Sequence, residues 1–447
     1  MTKSVLGRLI GTSSILLAAR FAGAGLAFAG NVAIARLLGA DALGVFAICM
    51  ASASLIAVIL PLGRQATATL FVSEYLAQFR HGSIRSYVRN GHALIWRMSA
   101  VAIAMAGFLG FALTGSSLGE TILAAGFALA MAPALAFISF NGGVLTGVRR
   151  QFSAMLPESL LKPSCVLLAV LVSVIALKSQ ATVLLLGIIC AGFWLTAGFQ
   201  AWLMYSTPVA PTSGDECDES GRWRATGWPW MFITLIWDYF IELHLLLAAA
   251  AATTAEVAVL HICFRLRVLA GFGTRALYAL VLPDLYGANA AGNEREVRAS
   301  LARANALALA YAIAVCAGVW LIGGFVLGLV GDSFSDAHTA LIVMCLTIVV
   351  RAIFGPATAV LSMKGIQLPS LWTLIAGLAI SIVLSLVLLP PLGVLGIAIA
   401  YLIANSAIAV CQWHLALRMT GIDVSIFAGL WRAAPVAGTP GRSPAAL

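Results

Sequence analysis

Apolar stretches long enough to cross a bilayer recur along almost the whole chain, and that recurrence limits the fold more than any motif. A run of about 18 or more apolar residues with few charges reads as a membrane-spanning helix. Twelve such spans are predicted, at 10–33, 43–62, 93–114, 121–145, 156–177, 181–205, 228–251, 257–282, 304–330, 338–361, 368–389 and 394–416. Helix can also continue past the second span to about Phe79. Hydrophobic residues make up 62% of the chain and charged residues 10%. No soluble domain buries that much apolar surface, so the bilayer must be the solvent, and helices satisfy the backbone there. The expected fold is an all-α integral membrane protein.

The first span is too long for the apolar core of a secretory signal and is expected to be retained. The segments between spans are too short to build cores of their own. The tail WRAAPVAGTPGRSPAAL, rich in Pro, Gly, Ala and Ser, is expected to be disordered.

Lys and Arg set the orientation. With the N-terminus in the cytoplasm, the inner segments carry seventeen basic residues, and the outer ones carry only Arg36 and Lys178. That bias predicts cytoplasmic N- and C-termini in a plasma (bacterial inner) membrane. The net charge of +9 is therefore mostly a topology signal. No basic stripe accompanies a soluble fold, so no nucleic-acid partner is expected. The eight cysteines include no CxxC pair and no Cys/His cluster. Free thiols and no metal are expected.

Two segments echo one another. FVSEYLAQFRHGSIRSYVRNG (71–91) follows the second span, and VLPDLYGANAAGNEREVRASLARAN (281–305) follows the eighth. Setting Glu74 on Asp284 also sets Gly82 on Gly292 and Arg85 on Arg295. GVLTGVRRQ (143–151) and AVLSMKGIQ (359–367) form a second echo. The predicted organisation is an N-terminal six-helix bundle (1–205), a cytoplasmic linker (206–227), a C-terminal six-helix bundle (228–416) and a tail (417–447). Parallel repeats of this kind hold a site between the halves near the midplane.

ARLLGADALGVFAI (35–48), with Arg36, Gly39, Asp41, Gly44 and Phe46, resembles the opening of the oligosaccharide flippases. These belong to the multidrug/oligosaccharidyl-lipid/polysaccharide exporter superfamily. The likeness continues at VLTGVRRQFSAMLPESLLKPS (144–164), AEVAVLHICFRLRVL (255–269), VLPDLY (281–286) and LPPLGVLGIAIAYLIANS (389–406). It covers nearly the whole chain in order. The resemblance implies two pseudo-symmetric six-helix bundles around a central cavity that opens alternately to each side. It implies an oligosaccharide on a polyprenyl diphosphate as the substrate. Many members carry an Asp in the seventh helix where this chain has His244, with Asp238 and Glu242 nearby. That departure bears on any coupling to a Na⁺ or H⁺ gradient.

Charges inside a membrane need partners or a wet cavity. Arg20, Arg265, Arg267 and Arg351 lie within predicted spans, Arg275 near the inner end of one, and Arg64 beside the break LPLGR. Guanidinium binds phosphate oxygens in pairs. The functional expectation is therefore a cationic cavity for a diphosphate, built from Arg20, Arg351, Arg265, Arg267 and Arg64. The plainer expectation is that these arginines neutralise acids. Asp238 and Glu242, four residues apart, share a helix face. They are expected either to pair with Arg267 and Arg265 or, with His244, to take a coupling ion. Trp228, Trp230 and Trp237 suit sugar stacking or an interfacial belt. Pro61 and Gly63 are hinge candidates.

The leading functional expectation is a flippase for a lipid-linked oligosaccharide destined for a cell-surface polysaccharide. Its partners would be that substrate, membrane lipids and the polysaccharide polymerase or export machinery. The alternatives are a cation-coupled multidrug exporter and a flippase for the peptidoglycan lipid precursor. An enzyme is not expected, because the sequence shows no nucleophile–base pair, metal cluster or nucleotide loop. No cofactor is expected beyond a possible coupling ion.

Overall fold

The computed structural model describes residues 2–112, 119–206, 218–278, 281, 294–363 and 367–429. The described residues are helical almost throughout and contain no strand. In chain order the helices are α1 (Thr2–Leu38), α2 (Ala40–Ile59), α3 (Arg64–Ala77), α4 (His81–Ala112), α5 (Gly119–Gly147), α6 (Gln151–Ala176) and α7 (Thr182–Tyr205). They continue with α8 (Ser220–Asp238), α9 (Phe240–Ala249), α10 (Thr254–Ala270), α11 (Glu294–Val330), α12 (His338–Phe354), α13 (Ala357–Met363), α14 (Gln367–Leu392) and α15 (Val394–Thr420).

Ten described helices are long and apolar enough to cross a membrane, and α8 with α9, bent by 61°, makes eleven where the bent pair is counted as one span. The expected third span lies on α4, whose C-terminal end runs into residues outside the described set. The protein is a multi-pass membrane protein. Half of the expected linker, residues 207–217 with Cys217, lies outside the described residues, as do Pro283, Lys364 and the tail beyond Gly429, while residues 220–227 are already helical and open α8. The other seven cysteines are free thiols.

Packing follows what a bilayer demands. Lipid tails are as apolar as Leu, so helices associate through small residues that let backbones approach, while large side chains face outward. Trp320, Leu321 and Phe325 on α11 are exposed. On α5, a Gly- and Ala-rich helix, 72% of the span is buried, against 17% on α11. Thus α5 is the inner post of the first group, and α11 lies at the rim of the second. Helices α1–α7 pack mainly on one another, as do α11–α15.

Between the groups the chain makes two seams. At the face where α1 begins, α3 packs on α8; at the opposite face, α2 packs on α10. The first seam is polar and aromatic. Arg222 donates to both Glu74 carboxylate oxygens (2.9 and 2.7 Å) and to Glu219 (3.1 Å). Arg80 and Tyr75 also donate to Glu219. The buried Trp223 donates to Tyr75 (2.7 Å) and stands edge-on to Tyr87.

Burial pushes the Glu219 carboxyl up, but hydrogen bonds from Arg80, Tyr75 and Arg222 outweigh it and hold the group below its ordinary value. Such a group stabilises fully above its unfolded pKa, and the contribution disappears as pH falls through the lower folded value. The stability gap between wild type and Glu219→Gln should therefore be widest at neutral pH. It should close on acidification below about pH 4, near the ordinary carboxyl value. Unfolding temperatures of the two proteins in detergent across pH check this.

The chain breaks between α2 and α3 at the predicted hinge. Leu62 (φ 47°) and Gly63 (φ 79°) are both left-handed. A Cβ on Gly63 would lie 1.8 Å from the Gly227 carbonyl oxygen, so α8 crosses directly on the break. Gly63→Ala should lose about 1–2 kcal/mol from backbone conformation alone, with the overlap added. An unchanged unfolding temperature would contradict the close crossing.

At the opposite seam three residues of the ARLLGADALG segment reach across. Arg36 donates to Leu329 O (2.9 Å) and Gly328 O (2.6 Å), capping the last carbonyls of α11. The Thr254 hydroxyl donates to Asp41. A Cβ on Gly44 would meet Thr254 O at 1.9 Å. One of the two basic residues expected outside thus has a specific structural partner.

Candidate functional site

Between the two groups, charges from α1, α6, α8, α9, α10 and α12 face one another. On the first group, Gly23 lets α1 sit against α6, where a Cβ would lie 1.7 Å from Ser159 O. This brings Arg20 beside α6. Its guanidinium approaches the Met155 sulfur (3.9 Å) and acts on Glu158. A π-helical turn, Pro157–Leu161, presents Glu158, which pairs with Lys162 at 3.2 Å. π-Turns inside α-helices frequently mark functional sites.

The second group answers with both signs of charge. The bend between α8 and α9 centres on Tyr239, with Asp238 ending one helix and Glu242 in the first turn of the next. Tyr239 lies in the field of Glu158, Glu242 and Asp238 together. On α10, Arg265 acts on Glu242. The buried Arg267 donates from Nε to Thr347 Oγ1 (3.2 Å) and lies over the Tyr401 ring at 5.5 Å. Arg275 and Arg351 act on the same Tyr401 phenol and on Arg267. Three guanidiniums thus gather around one phenol.

Glu158 and Arg351 lie deep within the protein, yet their side chains remain accessible to solvent. That combination is expected of residues lining a recess between the two groups rather than of core or lipid-facing residues. Six cations (Arg20, Lys162, Arg265, Arg267, Arg275 and Arg351) share this region with three carboxylates. Of these nine residues, only Glu158 and Lys162 form a contact ion pair among the described residues.

The structure thus brings Arg20, Arg265, Arg267 and Arg351 to one region, along with Asp238 and Glu242. Of the expected ladder, Glu242 lies in the field of Arg265, but among the described residues neither Asp238 nor Glu242 makes a contact ion pair with Arg267 or Arg265. Arg267 is turned to Thr347 and Tyr401 instead, and Asp238 acts on Arg275 across a gap. His244 packs behind Tyr401 and, among the described residues, makes no hydrogen bond to the charged side chains of this region. It is buried among Phe240, Phe264 and Tyr401. Its Nδ1–H donates to Phe240 O (2.6 Å), since a carbonyl only accepts, and Nε2 faces the Ser381 hydroxyl. Arg64 is also elsewhere, beneath α8 beside Arg224 and Asp218. Pro61 and Gly63 sit at the seam break. The Trp237 side chain lies outside the described residues.

Glu158, Lys162, Tyr239 and Tyr401 escaped the sequence reading. Glu158 and Lys162 carried a usable signal, being charges four apart at the edge of an apolar span. Tyr401 carried none, because a lone tyrosine in such a helix reads as belt or core. No group of three or more potential metal-ligating side chains occurs among the described residues.

No family model and no curated protein matches the chain. Solved structures do. An inward-facing multidrug resistance MATE family transporter of the MOP superfamily superposes with a TM-score of 0.73 at 17% identity, covering 89% of this chain and 94% of that one. An outward-facing MATE transporter gives 0.64 at 19%, covering 91% and 94%. The lipid II flippase MurJ, in an inward closed conformation, gives 0.70 at 14%, covering 90% and 87%. The chain therefore has the two-bundle fold of these proteins.

Proposed function

We propose that this protein moves a lipid-linked oligosaccharide, carried on a polyprenyl diphosphate, across the plasma membrane by exposing its central cavity alternately to each side. The observation that carries the reading is the gathering of Arg267, Arg275 and Arg351 around Tyr401 with no carboxylate in contact among the described residues. Like charges repel, and unpaired charges inside a membrane protein are costly. A cavity that tolerates them is suited to an anion that supplies the missing countercharge. Arg20 and Lys162 on the opposite wall offer a second handhold, so a diphosphate can be held from both halves at once. The solved relatives in fold are transporters and a flippase by their descriptions, which supports the transport class. Both termini face the cytoplasm in this reading, and the substrate feeds polysaccharide polymerisation or export.

A second reading is a cation-coupled multidrug exporter. Glu158, Asp238 and Glu242 facing Tyr239 favour it, since carboxylates at the seam suit a cationic drug or a coupling Na⁺ or H⁺. The peptidoglycan lipid precursor is a third substrate, supported by the likeness in fold to the lipid II flippase. Proteoliposomes separate these readings. Under the leading proposal a fluorescent polyprenyl-diphosphate oligosaccharide changes leaflet, while cationic dyes do not accumulate under an imposed ion gradient. Dye transport without lipid movement would establish the exporter instead.

A further inference from the structure

A second anion site lies away from the central cavity, at the α3–α8 seam. Arg64 opens α3 and is only 3% exposed, yet among the described residues its guanidinium has neither a hydrogen bond nor an ion pair, and its Nε is sealed without a partner. The chain crosses close above it. A Cβ on Gly227 would lie 2.8 Å from Leu62 O, and one on Gly63 would lie 1.8 Å from Gly227 O. The surrounding charge does not neutralise it. Arg224, exposed at the rim, adds a second positive charge, and the carboxylate that acts on Arg64, Asp218, makes no contact with it. Asp218 instead accepts from the Ser220 backbone N–H at 2.9 Å, in the turn that leads into α8.

Buried charges in native proteins are paired or coordinated, because an uncompensated one carries its full desolvation penalty. A guanidinium in that position, with another arginine at its edge and the local carboxylate already engaged, lacks an oxyanion. We propose that Arg64 and Arg224 bind a phosphate-type anion at this seam, with Arg64 as the buried fork and Arg224 as the outer contact. Guanidinium takes two phosphate oxygens with parallel N–H bonds, which suits a phosphate group entering from the rim. The anion would fasten α8 to α3 at the polar seam. The inference does not depend on what the central cavity carries.

The group is either a soluble phosphate or the headgroup of an anionic lipid, and one experiment distinguishes them. The full chain is placed in nanodiscs of zwitterionic phosphatidylcholine, and its unfolding temperature is read with added sodium phosphate against sodium chloride at equal ionic strength. The same protein is then read in nanodiscs containing phosphatidylglycerol. A rise on the order of 3 °C with phosphate marks the soluble source, and a rise with phosphatidylglycerol alone marks the headgroup. In either case Arg64→Gln should remove the rise. Arg224→Gln, which leaves the buried core untouched, should shrink it and serves alone if Arg64→Gln does not fold. The proposal is overturned if neither anion raises the wild-type temperature above the chloride control, or if the folded variants respond as the wild type does.

Discussion

Movement of a diphosphate-linked substrate should fall about 10- to 100-fold in Arg351→Ala and in Arg20→Ala, with both proteins still present in the membrane. The magnitude follows from losing one charge-assisted contact, worth about 1.5–3 kcal/mol. Arg351 is accessible inside the protein and stands in the field of Arg267 and Arg275. Its removal relieves like-charge repulsion, so the loss should appear in transport and not in stability. Lys should restore only part of the activity, since a point charge lacks the planar fork. Arg267→Ala should behave differently. Its guanidinium is buried against Thr347 and Tyr401, so this variant should lose stability as well as transport. Expression-corrected flux together with unfolding temperature separates the two patterns. Wild-type flux in both Arg351→Ala and Arg20→Ala would remove the anion clamp.

Tying the two groups together at the far seam should stop transport almost completely. Thr254 and Asp41 meet there side chain to side chain, and Gly44 lies against the Thr254 backbone. If the protein works by the proposed alternating access, this contact opens once per cycle. In a cysteine-free background, Asp41→Cys with Thr254→Cys should retain flux while reduced. A short thiol-bridging reagent should bring flux to background, and a cleavable version of the reagent should give it back on reduction. Full activity after cross-linking would show that the seam is static. Gly44→Val should act in the opposite sense, by wedging the seam open, because any side chain there must displace the Thr254 carbonyl.

Hydrophobic periodicity and length were enough to read the spans, because the bilayer enforces one rule on every helix that crosses it. The break at Pro61–Gly63 was also legible, since Pro and Gly leave few backbone options. Two things were not. The first was partnership. Sequence spacing placed Asp238 and Glu242 level with Arg267 and Arg265, but only Glu242 lies in the field of Arg265; Asp238, at the 61° bend, acts on Arg275, and Tyr401 claims Arg267 from a helix far along the chain. The second was depth. Arg64 and the cavity arginines look alike in sequence, because each is a cation in an apolar context. Only the crossing of α8 at Gly227 separates a seam residue from a cavity wall. The ARLLGADALG segment was visible as a motif, but its work across the far seam needed the positions of Gly328, Leu329 and Thr254.

The central claim is that the cavity selects its cargo by the diphosphate. The direct measurement compares two fluorescent lipids in proteoliposomes, with the same oligosaccharide and polyprenyl tail, one joined through a diphosphate and one through an uncharged linker. Leaflet exchange is read by the fraction of label accessible to an external quencher over time. The account predicts protein-dependent exchange of the diphosphate lipid, lost in Arg351→Ala, and exchange of the uncharged lipid no faster than in protein-free liposomes. Equal protein-dependent exchange of both lipids would contradict it.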